Sequence, residues 1–235
     1  MLAEVATETR NRLLRLLPEQ EAQHLFAAAD LVTVKTKDLV WESEGKITDV
    51  YFPEDAIISL VTQMKDGSGV EAMTIGNDGF AGLAVFHGLD STQCLACGQI
   101  TGKAWRLSAE KFRQVTAELP TLQRVLHQYS HLVFEIVSQS AACNRLHVIE
   151  QRCARWLLMS EDRVGRPKFD LTQEFLAEML GVRRPGVTVA MGVLEKQGLI
   201  AHGRGNITVI NRAGLEAASC ECYAKIKRRQ DELLS

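Results

Sequence analysis

The chain of 235 residues has no apolar run approaching the roughly 20 residues that a membrane-spanning helix needs. Its opening, MLAEVATETRNRLLRLL, carries acidic residues and lacks the continuous apolar core of a secretory signal. A cytoplasmic protein with no membrane partner is expected. No Gly-Lys-Ser/Thr phosphate loop and no His-Glu-x-x-His motif is present. Cysteines and histidines occur, but no spacing fixes a thiol beside a histidine base and an oxyanion site, so no catalytic residues are assigned and no enzyme is expected. A strong net charge is missing too: 27 Lys+Arg against 29 Asp+Glu leave −2. That average hides a split. Residues 1–147 hold 13 basic and 18 acidic side chains, a balance of −5, and residues 148–235 hold 14 and 11, a balance of +3. The basic excess lies in the second half, where phosphate neutralisation could support nucleic-acid binding.

The stretch from Leu171 to Ile200, LTQEFLAEMLGVRRPGVTVAMGVLEKQGLI, reads as two helices joined by a tight turn. Thr172 is placed to cap the first helix and Glu174 sits in its first turn, where the helix dipole favours negative charge. Phe175, Leu176, Met179 and Leu180 recur at helical spacing, and Gly181 ends the helix. Pro185 suits the first position of the second helix and should hold Arg184 outside it. Val187, Ala190, Met191 and Leu194 give that helix an apolar face. Its other face carries Gly186, Thr188, Val189 and Glu195, and the small residues among them allow close approach to a groove floor. Leu199–His202 and Ile207–Ile210 read as strands around a turn containing Arg204, which makes the hairpin a wing.

These residues resemble the winged helix-turn-helix of the cyclic-AMP receptor protein/FNR (Crp/Fnr) family of bacterial transcription regulators. Gln151, Arg152, Ala154, Arg155, Trp156, Leu157 and Leu158 resemble the helix leading into that domain, and LTQEFLAEMLGV, Arg184, Val187 and LEKQGLI resemble its core. Where relatives commonly place Ser-Arg-Glu-Thr-Val, this chain has Arg183, Arg184, Pro185, Gly186 and Val187. Pro185 stands where many use a base-reading glutamate, and Val189 where several use an arginine, so no known operator transfers. The resemblance implies a DNA surface of Thr172, Gln173, Arg183, Arg184, Pro185, Gly186, Thr188, Val189 and Arg204, a palindromic double-stranded operator, and RNA polymerase as a further partner.

From Pro120 to about Leu146 there is no glycine and no further proline. Leu122, Leu126, Tyr129, Val133, Ile136, Ser140 and Cys143 recur with spacing 4, 3, 4, 3, 4, 3, a heptad seam that predicts a homodimer. Two recognition helices related by a two-fold axis would then read half-sites one DNA turn apart. The competing reading packs this seam on the chain's own N-terminal half.

That half reads as short strands with glycine turns: Leu31–Lys35, Leu39–Trp41, Asp49–Phe52, Ile57–Met64, Val70–Ile75, Cys94–Gln99 and Gly102–Leu107, with Asp66-Gly67 as a hairpin turn. An opening helix ends between Leu25 and Asp30, and Ser108 caps a helix over Ala109–Glu118. The fold class is therefore α+β: a β-roll of the cyclic-nucleotide-binding-like jelly-roll type (1–119), a dimerisation helix (120–147) and a winged helix-turn-helix (148–235).

Cyclic-nucleotide binders of the family use a glutamate for the ribose and an arginine for the phosphate. Here Leu83 and Gln93-Cys94 fall at about those places, and no Arg or Lys occurs between Lys65 and Lys103. A buried phosphate needs a cationic partner, so the signal at the roll is expected to be something other than cyclic AMP. The six cysteines include none before Cys94, which departs from oxygen-sensing relatives with an N-terminal cluster ligand set. Cofactors and metal sites are expected to be none. Reversible oxidation at Cys220 and Cys222 would make the chain a thiol-responsive regulator, against the simpler reading that they line a terminal helix. His127 and His131, one turn apart, and His87 read as a solvated pair and a roll residue. A ligand-binding module with no DNA role, or a thiol enzyme, are the alternatives of another class.

Overall fold

The computed structural model describes residues 9–203 and 205–234. Seven strands alternate through the first half: β1 (Asp30–Val34), β2 (Leu39–Trp41), β3 (Asp49–Pro53), β4 (Ile57–Gln63), β5 (Gly69–Ile75), β6 (Leu95–Ile100) and β7 (Gly102–Ser108). They form two antiparallel sheets, in orders β1-β7-β3 and β2-β6-β4-β5. Gly67, at φ +83°, makes the expected β4–β5 hairpin. The opening helix α1 (Glu19–Ala28) ends within the expected span, and Asp30 is already in β1, opposite Arg106. A short helix, α2 (Leu83–Phe86), was not expected from the sequence.

The roll is solid. Phe80 packs between Phe52 and Phe112, with ring centroids 4.5 and 5.0 Å apart, among Val50, Val85 and Ala96. Ser108 caps α3 (Ala109–Glu118) by accepting from the Lys111 N–H at 3.2 Å. Strand β4 is buried on both faces over Ile57–Ser59, so its apolar residues do not alternate with polar ones. Ile58 faces the roll interior, while Ile57 and Val61 join the C-terminal core with Cys153, Trp156 and Leu157.

The long helix α4 runs over Pro120–Leu146, as the sequence predicts. Its heptad seam needs correction. Leu122, Leu126, Tyr129, Ile136, Ser140 and Cys143 are all buried within the single chain, and Val133 is half-buried against the same core. An apolar stripe of period 3.5 shows that a helix face is covered but not what covers it. Here the roll and the terminal helix cover it. The outward face carries Phe134 at 70% exposure, with His127 and Ala141 seven residues to either side, and Val148 at 60% beyond the helix end.

Helix α5 (Ile149–Val164) leads to β8 (Lys168–Asp170), α6 (Gln173–Met179), α7 (Arg184–Lys196), β9 (Ile200–Gly203), β10 (Asn206–Val209), α8 (Arg212–Ala218) and α9 (Cys222–Leu233). The wing is a three-stranded sheet in order β8-β10-β9, one strand more than the sequence suggests. Strand β8 is only three residues long, too short to show an alternation. Among the described residues no helix is long and apolar enough to cross a membrane.

Candidate nucleic-acid interface

Two turns of local chemistry set up the helix pair α6–α7. The Thr172 hydroxyl accepts from the Phe175 N–H at 3.2 Å and opens α6. Gly181 closes it at φ +62°, a conformation costly for any side chain, and here a Cβ would also lie 2.9 Å from Val70 Cγ2. Arg152, buried on α5, donates from Nη2 to the Leu180 carbonyl at 2.5 Å and so holds the end of α6. Helix α7 starts one residue earlier than the proline suggests. Arg183 takes the extended cap conformation (φ −74°, ψ 141°) and Arg184 is the first helical residue. The Gly186 N–H reaches the Arg183 carbonyl at 2.9 Å, so the first turn closes despite the crowding that a proline imposes on its predecessor.

Val187, Ala190, Met191 and Leu194 are buried, as the spacing requires. Arg183, Arg184, Pro185, Thr188 and Val189 are exposed, Val189 by 63%. Among the described residues no carboxylate pairs with either arginine. The Thr188 hydroxyl bridges the two helices, 2.8 Å from Gln173 Oε1 and 3.1 Å from the Arg184 carbonyl. Gly186 turns away from this surface: a Cβ there would sit 3.1 Å from Ile149 Cδ1, so its smallness serves packing on α5 rather than approach to a groove. Arg204 lies outside the described residues. The arrangement is a helix end with two unpaired guanidinium groups beside a hydroxyl and an amide, suited to phosphates and base edges.

The family model of a Crp-like helix-turn-helix domain matches residues 151–218. A transcriptional regulator of the Crp/Fnr family from Eubacterium rectale superposes with a TM-score of 0.65 at 16% identity, over 88% of this chain and 96% of that one. FixK2 from Bradyrhizobium japonicum gives 0.65 at 14%, over 82% and 98%. The c-di-GMP-responsive global regulator CLP of Xanthomonas campestris gives 0.65 at 12%, over 82% and 99%. The chain has a Crp/Fnr-type fold with a Crp-like helix-turn-helix domain. Comparison with curated proteins returns no match.

In this Crp/Fnr-type roll, the two positions where a nucleotide cassette would act hold no charge. Leu83 begins α2 and packs on the roll core. Gln93 is exposed, and its carbonyl accepts from the Ser43 hydroxyl at 2.7 Å. The His87 ring lies 3.0 Å from the Ser130 hydroxyl; His127 packs edge-on against Phe86, with ring centroids 4.8 Å apart, while His131 pairs with Glu135 at 3.5 Å, so the two helix histidines have separate partners. The sequence also separates what the structure joins. Cys220 and Cys222 do not merely line a terminal helix, because their thiols meet Cys143 and His147 at the end of α4. The sequence reading expects no metal site; the structure brings these four side chains together. The i, i+4 spacing of Cys143 and His147 and the Cys-x-Cys pair were both visible, but not their meeting across more than seventy residues.

Proposed function

We propose that this chain is a homodimeric, sequence-specific DNA-binding transcription regulator, and not an enzyme, governed by a signal at its roll other than cyclic AMP. The observation that carries the reading is the exposed, unpaired Arg183–Arg184 pair at the start of α7 within a Crp-like helix-turn-helix. In this reading residues 1–119 are the sensor, 120–147 the dimerisation helix and 148–235 the DNA-binding domain. Arg184 reads a base, with a bidentate contact to guanine as its mode. Arg183, Gln173 and Arg204 hold phosphates, Thr188 serves either, and Val189 meets a thymine methyl. The second copy docks on the outward face of α4, where His127, Phe134 and Ala141 recur every seven residues, with exposed Val148 just beyond the helix end. A two-fold pair of α7 helices then favours a palindromic operator, and RNA polymerase is the partner through which the bound dimer acts.

Selection of binding sites from a random DNA pool tests this directly. A palindromic motif supports both the DNA role and the dimer. No enrichment would leave the chain as a ligand-binding module.

A further inference from the structure

Four ligand-bearing side chains converge where the long helix ends. Cys143 lies in the last turn of α4 and His147 directly follows the helix, its N–H still bonding the Cys143 carbonyl at 3.1 Å. Cys220 comes from the turn between α8 and α9, and Cys222 is the first residue of α9. The three Sγ atoms and one imidazole nitrogen all lie within 4.8 Å of one another. Cys143 Sγ is 3.5 Å from Cys220 Sγ, and Cys222 Sγ is 3.6 Å from His147 Nδ1. A tetrahedral zinc site with ordinary bond lengths has edges of about 3.8 Å between two sulfurs and about 3.6 Å between sulfur and nitrogen. The cage is therefore sized for one ion, whereas an iron–sulfur cluster spreads its ligands further apart.

The surroundings have the features of an outer coordination shell. His147 Nε2 lies 3.1 Å from Glu221 Oε2, which orients the ring and leaves Nδ1 facing the thiols. Gln139 Nε2 donates to Cys222 Sγ at 3.0 Å. Arg155, nine-tenths buried, keeps Nε and Nη1 without a hydrogen-bond partner. Its charge acts on Cys143 and Cys220 in the direction of the thiolate. Three thiolates, one neutral imidazole and a divalent ion carry a net charge of −1, which a buried guanidinium balances. The cysteines themselves are buried, so the set is closed to substrate and structural in type.

We propose that Cys143, His147, Cys220 and Cys222 form a zinc site that fastens the terminal helix to the junction between the long helix and the DNA-binding domain. Each of the three thiols releases a proton to solvent as its sulfur bonds the ion, so occupancy rises with pH and with free zinc. The site fixes the position of Val148, the exposed residue between α4 and α5. It goes beyond the DNA-binding reading and is read out without DNA, so either can fail alone.

The test uses the full-length chain under reducing conditions. Elemental analysis and native mass spectrometry should find about one zinc per chain. After demetallation, cobalt(II) should give tetrahedral ligand-field and thiolate charge-transfer bands that saturate at about one equivalent and vanish on adding zinc. Cys143→Ser and Cys222→Ser should each weaken cobalt binding at least tenfold, and Cys94→Ser should leave it unchanged. If the serine variants do not fold, the wild-type chain still answers: zinc should slow reaction of three of its six thiols with a thiol reagent. The proposal is overturned by an octahedral cobalt spectrum, by undiminished binding in folded Cys143→Ser and Cys222→Ser, or by a Cys143–Cys220 disulfide that forms equally fast with and without zinc.

Discussion

Arg163 shows how strongly one side chain can tie the two halves of this chain together. It is 3% exposed, lies on α5, and donates from Nε to both oxygens of Asp78 at 2.9 and 3.1 Å. Its Nη1 reaches the Thr74 hydroxyl, while Gln230 Nε2 donates to Asp78 Oδ2 at 2.5 Å. Burial opposes the guanidinium charge, but the charge and hydrogen bonds of Asp78 outweigh it, and the pKa is raised. Gly76 is glycine for the same reason, since a Cβ there would overlap the stem of Arg163. Removing one member strands the other without water. Asp78→Ala should therefore cost about 3–5 kcal/mol in equilibrium urea unfolding, and the double variant Asp78→Ala/Arg163→Met should recover part of that. A single-variant cost below about 1 kcal/mol would contradict the buried charge pair. The exposed Arg184 makes the opposite case. Arg184→Ala should leave stability unchanged, weaken operator binding by about 1–3 kcal/mol and relax preference at one base pair per half-site in a gel-shift series.

At the scale of elements, α7 combines an ordinary apolar face with two glycines of different kinds. Gly186 is needed for packing on Ile149, but a Cβ on Gly192 meets nothing within 4 Å. Gly192→Ala should therefore raise stability by about 0.5–1 kcal/mol, measured by thermal or urea unfolding. Gly181→Ala should lower it by at least about 1 kcal/mol, because it faces both a left-handed backbone and Val70. Helix α4 carries the dimer prediction. Phe134→Glu changes an exposed side chain, so the chain should stay folded yet sediment as a monomer, and a dimeric variant would exclude that face. These elements also show what the sequence could reveal. Caps, glycine stops and apolar spacing are local, so α3, α4, α6, α7 and most roll strands were legible from Ser108, Pro120, Thr172 and Gly181. What covers the α4 stripe depends on residues far along the chain, as does the meeting of Cys143 with Cys220. The extra wing strand and α2 are too short to leave a periodic pattern.

For the molecule as a whole, the open question is what holds the DNA-binding half against the roll, and Glu71 supplies a titratable answer. It projects from β5 into the seam between the β2-β6-β4-β5 sheet and α5. Trp156 Nε1 donates to its Oε1 at 3.0 Å, and the Ser59 hydroxyl lies 2.7 Å from its Oε2 and 2.7 Å from Gln99 Oε1. One hydroxyl proton cannot serve two acceptors: a Gln99 amide turned to present its unpartnered Nε2 to Ser59 resolves this, and so does protonation of Glu71. Burial drives this, pushing the Glu71 pKa up from 4.5 to about 7 against the opposing effects of Ser59, Trp156, Arg163 and Arg155. The folded state thus holds a proton that the unfolded state releases above pH 4.5. The associated stability is fully present below that pH and is lost as pH rises through about 7. A shift of this size corresponds to at most about 3 kcal/mol between acid and alkaline limits. Glu71→Gln keeps the shape and a donor but cannot ionise. Urea unfolding at pH 4 should find the variant close to wild type, and at pH 8 more stable by about 3 kcal/mol. Parallel pH profiles for the two proteins would show that Glu71 does not titrate at this seam. If the profiles diverge as expected, the docking of the DNA-binding half on the roll weakens between about pH 4.5 and 7, through one carboxyl group that touches both.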